Sequence, residues 1–149
     1  MYALSRRSLK ELSTCHKDIQ IILYELIKIY DFSILDGLRT TERQQALYRQ
    51  GRSTKDGIKF LSKHQSCDNI SMAVDIIPYK KGTNAFSGKE KDDRRFYMMM
   101  GMVKAISERL LAEKTISHKV RFGLDWDGDY IFTDQNFDDL PHMELIEPA

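Results

Sequence analysis

The sequence predicts an α+β fold: one domain, residues 1–149, with three helices around a small antiparallel sheet. Three observations predict it. Apolar residues recur at helical spacing in two long stretches, near each end of the chain. Short segments of alternating or wholly apolar residues, bounded by Gly, Pro and Asp, read as strands. A length of 149 residues, with 42% hydrophobic and 30% charged residues, suits one core and an ordinary globular balance.

Each element follows in order. Arg7 to Tyr30 reads as an amphipathic helix, because Leu9, Leu12, Ile19, Ile22, Leu23, Leu26 and Ile29 fall near one face. His16, between Cys15 and Lys17, reads as a solvated residue of that helix. Phe32 to Gly37 reads as a strand. Thr40 or Thr41 is placed to cap a second helix from Glu42 to Gln50, and Gly51 to end it. Arg52 to Ser62 is polar and reads as loop. Ala73 to Pro78 reads as a strand closed by proline, with Ala73, Asp75 and Ile77 on one face and Val74 and Ile76 on the other. Tyr79 to Asp93 reads as loop. Arg95 to Glu113 reads as the third helix, in which Met98, Met99, Met100 and Met102 serve as core filler rather than as an adaptable binding surface. Lys119 to Phe122 is a strand, Gly123 to Pro141 a long acidic loop, and His142 to Ile146 the last strand, with His142, Glu144 and Ile146 on one face.

Composition narrows the function classes. Twenty-three Lys and Arg against 22 Asp and Glu give a net charge of +1, which steers the chain neither to nucleic acid nor to a membrane. No segment has the apolar length of a bilayer span, and the first ten residues lack the pattern of a signal peptide. Cys15 and Cys67 are too far apart for a Cys-x-x-Cys pair and read as reduced thiols. The expectation is a monomer in a cytoplasm.

Chemistry concentrates in His64, Asp75 and His142, with Asp139 just before the last. Two imidazoles and a carboxylate form a zinc ligand set that leaves one position open, as a catalytic site requires. Asp75 sits in an otherwise apolar strand, where an unpaired charge is costly and a metal would partner it. Asp139 precedes His142 by one turn and is placed to act as a general base. The competing reading is structural, since a histidine near a strand is usually a satisfied polar residue. Cys67 stands three residues after His64 and is either a plain thiol or a fourth ligand, which would close the site.

These segments resemble the zinc peptidases of bacterial cell walls, which include D-Ala-D-Ala carboxypeptidases and dipeptidases and the phage L-alanyl-D-glutamate endopeptidases that serve as endolysins. The resemblance rests on Ser62-Lys-His64, then Ala73-Val-Asp75, then Asp139-Leu-Pro-His142-Met-Glu144. Gly37-Leu-Arg39-Thr40 and Arg121-Phe-Gly123-Leu-Asp-Trp126 match two further family elements. The family places about six residues between the first histidine and the aspartate; ten stand between His64 and Asp75, an enlargement that loop-closure entropy tolerates.

The resemblance implies a hedgehog/D-Ala-D-Ala-peptidase-like fold carrying a zinc cleft, one Zn²⁺ held by His64, Asp75 and His142, Asp139 as catalytic base, and Arg39 at the oxyanion. It implies Ser62 and Trp126 as substrate contacts in the cleft and Glu144 as a support for a ligand. The implied partner is the peptidoglycan stem peptide, and the implied reaction is cleavage of L-Ala–D-Glu after holin-type permeabilisation of the membrane of an infected bacterium. A D-Ala-D-Ala carboxypeptidase or dipeptidase, and a non-catalytic peptidoglycan-binding module of the same fold, are the alternatives. Asp125, Asp127 and Asp129 alternate like the start of a Ca²⁺ loop, but Tyr130 and Asn136 stand where the full pattern wants Gly and Glu.

Overall fold

A computed structural model describes residues 1–65 and 68–148. Cys67, the alternative fourth ligand, lies outside the described residues. The element order is α1 (Arg6–Leu12), α2 (Lys17–Leu26), β1 (Phe32–Asp36), α3 (Thr41–Arg49), β2 (Ala73–Pro78), α4 (Glu90–Ala112), β3 (Lys119–Phe122) and β4 (His142–Ile146). The strands form one antiparallel sheet in the order β1-β2-β4-β3.

The single helix expected over Arg7 to Tyr30 is two helices, so the described residues hold four in all. The break has a long-range cause. The Cys15 stretch pairs with Ser71: His16 N–H donates to the Ser71 carbonyl at 2.9 Å, and Ser71 N–H donates to the Thr14 carbonyl at 2.8 Å. Local chemistry cooperates, because the Ser13 and Thr14 hydroxyls donate back to the Lys10 and Glu11 carbonyls at 2.6 Å. His16 is not a solvated mid-helix residue. Its Nδ1 accepts from Asp18 N–H at 3.1 Å and caps α2. Leu9 and Ile29, counted on the apolar face, are exposed.

Helix α3 is capped by Thr40, whose side chain accepts from Arg43 N–H. It ends in a Schellman arrangement: Gly51, with φ of 68°, donates to Tyr48, and Arg52 donates to Leu47. Helix α4 begins at Glu90, five residues earlier than the apolar periodicity indicated. Glu90, Asp92 and Asp93 form its first turn, where acidic residues oppose the helix dipole. Met99 and Met100 are core filler as expected, Met102 packs against the core in part, and Met98 is exposed.

The sheet has two unlike faces. Ile34, Val74, Ile76, Val120, Phe122, Met143 and Leu145 are buried in one cluster with α2 and α4 residues such as Ile22, Leu26, Phe96 and Val103. Asp75, His142 and Glu144 alternate onto the other face. Asp18 braces the assembly across the chain, because its Oδ2 accepts from Ser117 N–H at 2.9 Å, His118 N–H at 3.1 Å and His118 Nδ1 at 2.8 Å.

Candidate active site

Strand register brings the polar face together. Asp75 of β2 lies opposite His142 of β4, and Glu144 lies opposite Arg121 of β3. Between Ile34 and Asp36 the β1–β2 register shifts by a bulge. Without it Leu35 would face Asp75; with it Asp36 does. His64 comes from a loop and is tied down three ways. Its N–H meets Ser62 Oγ at 3.2 Å, its carbonyl accepts from Arg39 N–H at 2.7 Å, and its Nδ1 lies 2.7 Å from the Gly37 carbonyl. Gly37 has no room for a side chain, since a Cβ there would stand 2.6 Å from the Glu11 carbonyl.

His64 Nε2, Asp75 Oδ1 and His142 Nδ1 form a triangle with edges of 3.2, 3.2 and 3.3 Å. The outer ring nitrogens fix the tautomers. His64 Nδ1 faces the Gly37 carbonyl, which can only accept, and His142 Nε2–H donates to Glu144 Oε2 at 2.9 Å. In the neutral rings both inner nitrogens therefore turn lone pairs toward a carboxylate oxygen. Three such acceptors facing one another suit a cation between them. The edges match the roughly 3.3 Å separation of ligands around a tetrahedral ion with bonds of about 2.0 Å. The donor set fits a divalent metal such as zinc, and the enlarged spacer after His64 does not keep it from Asp75.

The electrostatics follow from this crowding. Burial alone would lower the His142 pKa, but the Asp75 and Glu144 carboxylates outweigh it and push it up to about 9. Burial opposes ionisation of Asp75, yet His64 and His142 hold it far below the usual carboxylate range. Glu144, likewise buried, is held at about 2 by His142 and Arg121. Asp139 moves the other way: burial and then the Asp75 charge raise it. Its Oδ2 lies 3.9 Å from His142 Nδ1, beside the triangle without joining it, and its side chain is part-exposed.

The remaining expected residues take distinct places. Arg39 donates from Nε to Asp36 at 2.5 Å, from Nη1 to Gln44 at 3.2 Å and from Nη2 to Asp75 Oδ2 at 2.7 Å. Ser62 uses its hydroxyl to hold His64 N–H. Trp126 is half-buried with its ring 5.4 Å from that of His142, and its indole N–H donates to the Phe137 carbonyl. Asp125, Asp127 and Asp129 do gather. Asp125, however, accepts from Gly128 and Tyr130 N–H, and Asp129 from Ile131 N–H, so these oxygens frame the loop itself and calcium gains no support. His16, Asp18 and His118 form a third group, whose His16 Nδ1 and Asp18 Oδ2 are spent on backbone and ring N–H groups.

Two supports escaped the sequence reading. Arg121 bonds Glu144 Oε1 through Nε at 2.9 Å and through Nη2, completing a chain from guanidinium to carboxylate to His142. Fully buried Gln44 receives Arg39 and donates to Ser53 Oγ and the Lys55 carbonyl at 2.8 Å. Pairing β3 with β4 on paper would have found the first, since Arg121 and Glu144 alternate onto the His142 face.

One face of the antiparallel sheet thus gathers two imidazoles and a carboxylate that fit a metal ion, with the Asp139 carboxylate beside them and an anchored guanidinium. The family model of phage L-alanyl-D-glutamate peptidases matches residues 1–146, and the chain belongs to that family. It is 31% identical over 134 residues to the L-alanyl-D-glutamate peptidase of Escherichia phage T5, covering 87% of this chain and 86% of that protein. It is 28% identical over 117 residues to the peptidoglycan L-alanyl-D-glutamate endopeptidase CwlK of Bacillus subtilis (strain 168), covering 78% of this chain and 61% of CwlK. The Serratia marcescens L-Ala D-Glu endopeptidase ChiX shares the fold, with a TM-score of 0.59 over 97% of this chain and 91% of that one at 21% identity.

Proposed function

We propose that this chain is a zinc-dependent endopeptidase that cleaves the L-Ala–D-Glu bond in the stem peptide of peptidoglycan, acting as a phage endolysin after holin-type permeabilisation. The observation that carries the proposal is the close triangle of His64 Nε2, Asp75 Oδ1 and His142 Nδ1 with Asp139 at its edge. Family membership and the named activities of the phage T5 and Bacillus relatives support the choice of bond.

His64, Asp75 and His142 would hold the metal. Zinc, when bound, supplies a Lewis acid that lowers the pKa of water and polarises the scissile carbonyl. Asp139 takes the proton of the attacking water and returns it to the leaving amine; its raised pKa brings it toward the range that both steps need. Three donors of Arg39 are committed to Asp36, Gln44 and Asp75, which aligns Asp75. A guanidinium carries five N–H groups, so two remain to meet the developing oxyanion. Glu144 and Arg121 fix the His142 ring. Trp126 offers its ring to the substrate beside His142.

The test combines purified peptidoglycan with two variants. Wild type should expose new N-terminal D-Glu. Asp139→Asn should keep its zinc by elemental analysis and lose about 10²–10⁴-fold in rate, whereas His142→Ala should lose zinc as well. Full activity in a zinc-free preparation, or release of free D-Ala alone, would overturn the proposal.

A further inference from the structure

The turn from Asp56 to Leu61 is built around one carboxylate oxygen. Asp56 Oδ1 accepts three successive backbone donors, Ile58 N–H at 3.0 Å, Lys59 N–H at 2.9 Å and Phe60 N–H at 2.8 Å. Gly57 N–H donates to the Phe60 carbonyl at 3.1 Å, and the Gly57 carbonyl accepts from Gln65 Nε2 at 3.0 Å. Gly57, with φ of 79°, packs against Gln44, so the base of the turn is fixed to α3. What this frame presents is apolar: Ile58, Phe60 and Leu61 are 69%, 54% and 52% exposed. Residues 52–63 carry exposed Arg52, Lys55, Lys59 and Lys63 and the acid Asp56, whose charge the amides already engage. The Lys55 and Lys59 ammonium groups lie 5.9 and 5.5 Å from the centre of the Phe60 ring.

We infer that this turn is a docking tip for an anionic phospholipid bilayer. Four successive backbone donors of the turn, at Gly57, Ile58, Lys59 and Phe60, are met within it, which lowers the cost of approaching the acyl boundary. Ile, Phe and Leu side chains gain by leaving water, while lysine stems run along them and leave the ammonium groups among lipid phosphates. The net charge of +1 argues against a membrane partner for the chain as a whole. The local charge, concentrated beside an apolar tip, argues for one.

Co-sedimentation with phosphatidylcholine vesicles, with and without phosphatidylglycerol, tests the inference. Wild type should bind the anionic vesicles about tenfold more tightly than the neutral ones, and high salt should remove the difference. Ile58→Ser/Phe60→Ser should lose binding to both, and Lys55→Glu/Lys59→Glu should lose the anionic preference. Both variants keep every backbone bond of the turn, so melting temperature and hydrolysis of a soluble stem peptide should stay at wild-type values. Equal binding of wild type to neutral and anionic vesicles overturns the inference. So do wild-type vesicle binding by both variants, or a binding defect confined to purified peptidoglycan, which would assign the tip to the wall. The outcome is independent of whether the chain hydrolyses peptidoglycan.

Discussion

Gly123 offers a test of how tightly the fold holds the site. Its N–H donates to the His142 carbonyl and its carbonyl accepts from Asp139 N–H, both at 2.9 Å. A Cβ at this position would stand 2.8 Å from Asp139 Cβ and 3.0 Å from His142 Cβ, with the Asp139 carbonyl nearer still. Neither neighbour is a flexible side-chain end. Restoring ordinary contact requires the Asp139 segment to retreat by about 1 Å, and a displacement of that size in a catalytic group costs on the order of 10²-fold in rate. Gly123→Ala should therefore lower the rate of peptidoglycan cleavage about 100-fold. The control is Gly101→Ala in α4, where nothing lies within 4 Å of the added methyl. That change should raise stability by roughly 0.5–1 kcal/mol, through helix propensity, and leave the rate alone. Equal activity of the two variants in a dye-release assay would refute the claim that this contact sets the position of Asp139.

Three further outcomes follow from the same geometry. Glu144→Gln keeps the shape but removes the charge behind His142, so zinc affinity measured by chelator competition should fall about 10–100-fold; an unchanged affinity would make Glu144 a bystander. Asp18→Asn leaves an amide oxygen but removes the charge on the acceptor that joins α2 to the start of β3, which should cost about 1–2 kcal/mol and lower the melting temperature by roughly 2–8 °C. The same carboxylate sets an acid limit. Burial disfavours its charge, but His118 and the loop amides outweigh that and depress the Asp18 pKa, so its stabilisation is complete above the unfolded value of about 3.9 and fades as pH falls through the folded one. Wild type and Asp18→Asn should accordingly differ most near neutrality in thermal melts and converge in stability as pH falls through the depressed Asp18 pKa.

The strands that carry the site were legible as an apolar run closed by proline in one case and a near-alternating segment in the other. Ala73–Pro78 and His142–Ile146 have the same bounds in sequence and structure. The two-helix N-terminus was not legible, because the break at Thr14 to His16 depends on Ser71, a partner far along the chain. The start of α4 was hidden for a different reason: Glu90 to Arg94 bury no apolar side chain, and helical periodicity is a signal of burial. Within the site, His64, Asp75 and His142 announced themselves by residue type. Asp36 could not, since only a bulge turns it toward Arg39, and Arg121 could not, since its partner is set by cross-strand register.

Register is also what makes the site rigid. In β4, Met143 and Leu145 are fully buried among helix side chains, and His142 and Glu144 take the opposite face because the strand period is two. A slip of one residue would drive both charged partners into the core and expose both apolar ones. The cost of that exchange, about 2–5 kcal/mol for each large apolar side chain lost from the core, is borne by residues with no chemical role. The imidazole, carboxylate and guanidinium that meet on the polar face therefore need no stability of their own. Asp75 and His142 can stay crowded against His64 because the packing on the far side of the sheet leaves their strands no other register.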